Sequence, residues 1–354
     1  AISKRPRAQR ATTIRQIFGS NATLRTEIDT TGTVGKNVNR PLLYRFVGVF
    51  EDRDGFRDFT HRERWGIEPA LTWQLSPDTS ITTSFRVLVH DEIEGSPESF
   101  ANFSQTELLP GIPREFNPYG PDTYRKIWEY AFQADLTHRF NSNWAGRIAA
   151  IYYQIDQRFL RRNGSRETES GSNHVKITPL LRDFANQSPQ VHADLSGKIE
   201  FGSMRLEPIF GYQYEQSHTP ELRFINPNIP PFNVYAPQAS DYAVGSFPTD
   251  YVLQEHSLNR GESHAVFAFA NLIAFSERLR LMGGIRHQQR TSDFRDHRAN
   301  SFVVYPDQRF TTPQAGLSFR VSNSLSLYTL YSESVRPNSN RYPNDPQVGV
   351  GYEG

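Results

Sequence analysis

Few residue combinations in this sequence could carry out a reaction. Residues 349–354 match the pattern G-x-G-x-x-G, but no parallel-strand pattern precedes them and no helix pattern follows, so we expect no dinucleotide site there. The ten histidines never form H-E-x-x-H, and G-x-S-x-G is absent. Glu92 and Glu94 alternate on one face of an exposed segment, which is weak evidence for acid–base chemistry. We therefore predict that the protein is not an enzyme. If it were an enzyme, the alternative would be a hydrolase built on an outer-membrane barrel.

Composition narrows the class of protein further. The chain has 354 residues, a net charge of +1, no cysteine, 37% apolar residues and 13% aromatic residues. A nucleic-acid-binding protein usually carries a concentrated basic excess, and a disordered chain has few aromatics. The basic start (Lys4, Arg5, Arg7, Arg10, Arg15) alternates into a strand pattern, so we interpret it as a barrel rim and expect no nucleic-acid partner. The apolar runs at 148–153 and 265–270 are far shorter than the roughly 20 residues of a helical span.

The segments that must position any functional residue alternate between apolar and polar side chains with a period of two residues. In residues 64–75 one face carries Trp65, Ile67, Leu71 and Trp73, while the other carries mainly polar or small residues. The same alternation predicts about 13 strands. Their predicted bounds are 12–19, 22–32, 41–52, 62–75, 80–90, 126–140, 144–157, 189–201, 204–216, 263–275, 279–290, 309–321 and 325–335, with a further strand starting at 348–354.

The connections between these strands differ at the two ends. Short turns rich in turn-forming residues occur at 76–78, 141–143, 202–203, 276–278 and 322–324, whereas long polar loops are predicted at 91–125, 158–188 and 217–262. Short turns on one side and long loops on the other are typical of an outer-membrane barrel. We therefore predict an all-β, antiparallel transmembrane β-barrel with short periplasmic turns and long extracellular loops. The alternative is a soluble all-β protein with insertions.

Aromatic and proline positions refine the barrel prediction. Trp65 and Trp73 share a face and should lie roughly 20 Å apart along the membrane normal, close to the height of an apolar band between aromatic girdles. Pro69 and Pro208 fall inside strand patterns and cannot donate to a ladder, so we predict local breaks or bulges there. An odd number of strands without closure would leave unpaired edges in lipid, so we expect the chain to be part of a longer protein.

Charged residues have structural interpretations. The inward positions Glu68, Arg86, Glu129, Gln133 and Asp135 should contact water or a plug. The loop cluster of Glu51, Asp52, Asp54 and Asp58 beside Arg53 and Arg57 mixes both signs, so salt bridges are expected there rather than a cation site.

Several segments, taken in order, resemble TonB-dependent ferric-siderophore receptors. AISKRP (1–6) resembles the junction between plug and barrel in that family. The other similar segments are 43–52, 55–59, 62–73, 76–80, 278–281, 283–286, 326–328, 331–334 and 351–353. The resemblance covers nearly the whole chain.

The resemblance implies a barrel of about 22 strands with a plugged lumen in the bacterial outer membrane. On that basis, residues 1–11 would be the end of the plug and its junction, and residues 12–354 an incomplete barrel domain. It also implies a receptor and transporter for ferric-siderophore complexes, energised through a TonB partner that grips a box absent from this chain. Outer-membrane lipid would be the other partner. Iron would arrive as a chelate, so no cofactor bound by protein ligands is expected, and the chain alone should not transport.

The same resemblance places ligand contacts in the long loops. Aromatic faces and arginine forks suit a bulky siderophore. The predicted ligand-binding residues are Arg114, Phe116, Tyr119, Tyr124, Arg223, Phe224, Phe232, Tyr235 and Tyr242, with Arg125 as a further cation. The alternative is that these side chains pack the loops against each other. Two other functions stay open: a plugless porin-like or adhesive barrel, and a soluble carbohydrate-binding protein.

Overall fold

The computed structural model describes residues 4–35, 41–95, 104–105, 107, 109–164 and 168–335, almost all of whose regular structure is β. The strands are β1 (Ala11–Gly19), β2 (Thr23–Val34), β3 (Leu42–Asp54), β4 (His61–Ser76), β5 (Thr79–Ile93), β6 (Tyr124–Arg139), β7 (Trp144–Asn163), β8 (His174–Val175), β9 (Thr178–Gly197), β10 (Ile199–Phe201), β11 (Met204–Ile225), β12 (Phe232–Asn233), β13 (Val252–Ala274), β14 (Leu279–Asp296), β15 (Ser301–Arg320) and β16 (Ser326–Ser332). One short 3₁₀ helix covers Ala239–Tyr242. Among the described residues, no helix has the length and apolar character needed to cross a membrane.

The long strands form one antiparallel meander. Its order is β1-β2-β3-β4-β5-β6-β7-β9-β11-β13-β14-β15-β16, which is thirteen strands along the path within the described residues. β10 continues the line of β9 and pairs with β11, while β8 and β12 form a separate two-stranded sheet. The predicted all-β, antiparallel architecture is confirmed. The strand predicted to start at 348–354 lies outside the described residues.

Several strands are longer than the sequence pattern indicated. The predicted loops 158–188 and 217–262 were wrong in extent, because β7 continues to Asn163, β9 begins at Thr178, β11 continues to Ile225 and β13 begins at Val252. In the same way, β15 begins at Ser301 rather than at 309, and β5 extends to Ile93. These extensions mix polar and apolar residues on both faces, so the period-two signal fades where the strands leave the apolar band although the hydrogen-bonded ladder continues.

The two ends of the sheet differ largely as predicted. Short connections at 77–78, 140–143, 202–203, 275–278 and 321–325 lie at one end, which we assign to the periplasm. The described parts of the connections 94–123 and 164–177, and the connection 226–251, lie at the extracellular end. Three extracellular connections, 20–22, 55–60 and 297–300, are also short, so the asymmetry is less complete than the sequence suggested.

The two faces of the sheet carry different side chains. Along β4, Trp65, Ile67, Leu71 and Trp73 are exposed on one face, while the intervening Gly66 and Ala70 are buried. Register continues this apolar face across neighbouring strands, for example from Phe50 to Trp65. We assign it to lipid, and the opposite, polar face to the lumen.

Pro69 and Pro208, the two prolines predicted to cause breaks or bulges, interrupt ladders locally. The β4–β5 register runs to Ile67↔Val87 and resumes at Ala70↔Ser84, so the interruption beside Pro69 causes no shift. The gap between β9 and β10 falls at Lys198, and the β9–β11 pairs begin at Ile209, next to Pro208. A proline nitrogen has no hydrogen to donate to the neighbouring strand, which accounts for both breaks.

The N-terminal segment lies along the luminal face of β2 and β3. Lys4 Nζ is 2.8 Å from Asp29, and the Arg7 amide donates to Thr31 Oγ1 at 2.9 Å. Arg45 Nη1 donates to the Arg5 carbonyl at 3.0 Å. The assignment of residues 1–11 to a plug junction stays a prediction.

Candidate ligand-binding site

Four extracellular connections meet in one cluster, which we call the loop cap: residues 55–60, the described part of 94–123, the described part of 164–177, and 226–251. The amide of Asp58 donates to the Glu115 carbonyl at 2.7 Å, which joins the first two loops. Asn117 Nδ2 donates to the carbonyls of Asp58 and Glu94 at 3.0 and 3.1 Å. The amide of Val234 donates to the Asn173 carbonyl at 3.2 Å, so the last two loops are also joined.

The loop cap has its own apolar core. Phe116, Val175, Ile177, Phe232 and Val234 are all buried there and pack together. Pairing of β8 with β12 places Phe232 opposite Val175. Apolar atoms are removed from water here, outside the membrane, so the hydrophobic effect holds the loops together as it does in a soluble domain.

A fully buried arginine lies beneath this core. Arg162 has no exposed surface, and its Nη1 donates to the Pro118 carbonyl at 3.2 Å. Its guanidinium also lies 5.5 Å from the centre of the Phe232 ring. Burial lowers the pKa of Arg162 to about 10, which still leaves the side chain charged at neutral pH. Within the described residues Nε and Nη2 have no hydrogen-bond partner.

The predicted ligand-binding residues fall into separate groups. Phe116 and Phe232 belong to the core of the loop cap, and Tyr242 packs against it, with its ring 5.4 Å from that of Phe59. Tyr119 is also buried, with 4% of its surface exposed. Tyr235 is exposed, and its hydroxyl donates to the Pro110 carbonyl at 2.7 Å. The aromatic side chains that remain at the surface are positioned both to pack against other loops and to contact a ligand. Their ligand-binding role therefore stays a prediction.

The remaining predicted residues make other contacts. Arg223 pairs with Glu221 at 2.5 Å and with Glu255 at 3.0 Å. The Phe224 ring lies 5.2 Å from that of Phe247. Tyr124 begins β6 and lies 6.0 Å from the Lys126 ammonium. Arg114 is exposed.

A cleft of about 580 Å³ opens at the extracellular ends of β3 to β6. Cross-strand register places Arg53, Arg62, Glu92 and Arg125 in one row across these strands. Arg62 pairs with Glu92 at 2.6 Å. Arg125 pairs with Glu94 at 2.5 Å and with Glu92 at 3.4 Å. A cleft of this volume matches the size of small-molecule sites.

Part of the acidic loop cluster next to this cleft forms the expected ion pairs, whereas Arg57 and Asp58 form none with the residues that the structure describes. Glu51 pairs with Arg25 and, at 3.6 Å, with Arg53. His61 Nδ1 lies 3.0 Å from Asp54. No group of three metal-ligating side chains occurs in the part of the chain that the structure describes.

Sequence reasoning overlooked the floor and rim of this cleft. In the sequence, Glu92 was noted only because it forms a carboxylate pair with Glu94, and Phe56 and Arg62 were not predicted as ligand contacts. The signal that could have found them is register: once β3 to β6 are aligned, the charged residues fall into one row.

The fold and the cleft together define a class of protein: a membrane β-barrel wall with a structured extracellular cap. A model of the family described as TonB dependent receptor-like, beta-barrel matches residues 72–354. The chain therefore belongs to the TonB-dependent receptor β-barrel family, whose members are receptors of the Gram-negative outer membrane.

Individual relatives agree with this assignment. The chain is 27% identical over 367 residues to the metal-pseudopaline receptor CntO of Pseudomonas aeruginosa, covering 99% of this chain and 50% of that protein. It is 22% identical to the ferrioxamine receptor of Yersinia enterocolitica, covering 95% of this chain and 46% of the relative. The chain thus spans about half the length of these curated relatives.

Solved structures show the same fold. The ferripyoverdine receptor of the outer membrane of Pseudomonas aeruginosa superposes with a TM-score of 0.79 at 19% identity, covering 96% of this chain and 44% of that one. The ferric preacinetobactin receptor BauA of Acinetobacter baumannii gives 0.77 at 16% identity, with 92% and 47% covered. At these identities the likeness concerns the fold alone.

Proposed function

We propose that this chain forms part of the barrel wall and the extracellular cap of a receptor that takes ferric-siderophore complexes across the outer membrane. Transport by this receptor would be energised through the TonB system. The observation that carries the proposal is the family match over residues 72–354, joined to a cleft-bearing cap on the extracellular side. The named relatives are receptors for metal chelates, which supports a chelate as cargo.

The role of the chain is binding and passage rather than chemistry on the cargo. Iron is substrate here, held by its organic chelator, so the protein needs groups that recognise the chelator surface. The cleft offers arginines and an aromatic ring, which suit charge-assisted hydrogen bonds and stacking. We propose that the receptor catalyses no reaction and holds no resident cofactor.

The test is uptake of radioactive iron by cells that express the full-length receptor and lack other siderophore receptors. Ferric complexes of a catecholate, a hydroxamate and a carboxylate chelator are supplied separately, in strains with and without TonB. We expect TonB-dependent uptake of at least one complex. Uptake equal to that of the empty vector for every complex would refute the ferric-siderophore assignment, and uptake unaffected by TonB loss would favour a passive barrel. Parallel uptake of a nickel or zinc chelate would show that the cargo metal is not iron alone.

A further inference from the structure

An exposed phenylalanine at the rim of the cleft lies between two arginines. The guanidinium carbons of Arg57 and Arg114 are each 5.1 Å from the centre of the Phe56 ring. Half of the Phe56 surface (51%) is exposed. Two cations on one accessible ring repel each other, so an arrangement of this kind favours an anion that binds beside them.

Backbone contacts hold Arg57 beside the ring and bring the segment that carries Arg114 close to it. Arg57 Nη1 donates to the Phe116 carbonyl at 3.1 Å, which fixes one guanidinium. Thr60 Oγ1 donates to the Arg57 carbonyl at 2.6 Å, which closes the 55–60 turn. The bond from the Asp58 amide to the Glu115 carbonyl joins the residues next in sequence to Arg57 and Arg114. The loop cap therefore fixes the Arg57 guanidinium and brings the Arg114 backbone to the same ring before any ligand arrives.

Charge balance separates this rim from the floor of the same cleft. On the floor, Arg53, Arg62 and Arg125 each pair with a glutamate. At the rim, neither Arg57 nor Arg114 forms an ion pair with any residue that the structure describes. Apart from Arg57 Nη1, which donates to the Phe116 carbonyl, their hydrogen-bond donors are thus available to a ligand, whereas the floor arginines are neutralised by glutamates.

We propose that Phe56, Arg57 and Arg114 form a subsite for an anionic, planar group of the chelate: a carboxylate or phenolate oxygen carried next to a flat apolar surface. The arginines would donate charge-assisted hydrogen bonds to the oxygens, and the exposed part of the Phe56 ring would contact the flat part of the ligand. This inference rests on the proposed function and names the substrate class at one site. It predicts that the receptor prefers anionic ferric chelates to neutral ones.

The test compares Arg57→Gln, Arg114→Gln and the double variant in the full-length receptor, by titration with a ferric catecholate, which is anionic, and with a neutral ferric trihydroxamate. We expect each single change to weaken catecholate binding about tenfold and the double change about a hundredfold, because each removes a hydrogen bond to a charged group. Arg114→Lys should retain part of the affinity since it keeps the charge. Binding of the trihydroxamate should not change, and high salt should weaken only the catecholate complex.

The matched control is Arg295→Gln. Arg295 also lies over an exposed phenylalanine, Phe302, at 5.3 Å, but it is a single cation on another hairpin. We expect this variant to bind both chelates like the wild type.

Three results would overturn the subsite. They are catecholate binding unchanged in the double variant, equal losses for both chelates, and a wild type that binds only the neutral chelate. Failure of the wild type to bind any chelate would instead count against the proposed function. Limited proteolysis of the loop cap in each variant checks that a loss of binding does not come from unfolded loops.

Discussion

The lipid-facing band and the loop cap use apolar residues in opposite ways. In the band, Leu71, Phe132 and Phe210 are 45, 45 and 49% exposed, because lipid rather than protein covers them. In the cap, Phe116 and Phe232 are 6 and 3% exposed, because other loops cover them. The band therefore depends on the membrane and the ladder, whereas the cap depends on its own packing, although the cap loops connect the strands of the band.

This difference predicts which changes damage each region. A large-to-small change should be serious in the cap, where it leaves a cavity, and mild in the band, where lipid fills the space. A charge should be serious in the band, where it meets hydrocarbon. The predictions that follow test each half of that comparison.

The largest expected effect is that of Phe232→Ala on the cap. Loss of this buried ring should destabilise the cap by about 3–5 kcal/mol, as for other phenylalanines truncated in a core. Hydrogen exchange should become faster in residues 109–123 and 226–251, while exchange in the membrane-embedded parts of β6 and β11 stays slow.

Phe132→Ala in the lipid-facing band is the matched control for that substitution, since the same atoms are removed from a side chain that no protein core covers. We expect cap exchange to stay at the wild-type rate in this variant. Equal protection of the cap in Phe232→Ala and the wild type would show that the cap core does not hold the loops together.

The second prediction introduces a charge into the band. Phe210→Arg on β11 should lower the free energy of unfolding in lipid vesicles by about 2–4 kcal/mol, the usual cost of arginine near the bilayer midplane. Gln190→Arg, on the luminal face of the neighbouring strand β9 and opposite Glu215, should change it by less than about 1 kcal/mol. Similar losses for the two variants would contradict the assignment of faces.

The band was predictable from the sequence, and the cap was not. Alternation in residues 64–75 placed Trp65 and Trp73 on the lipid face, because only one face of a barrel strand meets lipid and the period is then unambiguous. The short turns followed from local turn chemistry in the same way.

The cap depends on contacts between residues far apart in the chain. Phe116 and Phe232 attracted notice as aromatics, but nothing in their own segments shows that they meet each other through β8 and β12. The extensions of β7, β9, β11 and β13 were missed for a related reason: outside the membrane both faces meet water or loops, so the ladder continues without alternation. The Phe56 rim needed the β3 to β6 register and the approach of Arg114 from another loop.

The smallest predicted effect tests the charged extensions between band and cap. Near the extracellular end of β11, Glu221 is 4% exposed and accepts hydrogen bonds from Arg182 at 2.6 Å and Arg223 at 2.5 Å. Burial raises the pKa of Glu221, but the two arginines lower it by more, so that its net pKa lies below the ordinary 4.5. A carboxylate whose pKa is depressed on folding adds stability that is present above its unfolded pKa and is lost as the pH falls through the folded value.

We therefore expect hydrogen-exchange protection of residues 215–225 and 252–260 to be constant from pH 7 to about pH 5, and to fall below about pH 4.5, after correction for intrinsic exchange rates. Glu221→Gln should lower protection at pH 7 and flatten this acid dependence, because the uncharged amide cannot pair with either arginine. Glu200→Gln, which alters an exposed carboxylate near the periplasmic turn, is the control and should leave the profile as in the wild type. An acid profile that is the same in Glu221→Gln and the wild type would show that the Arg182–Glu221–Arg223 contacts do not stabilise the extensions, and the strands beyond the band would then depend on the cap core alone.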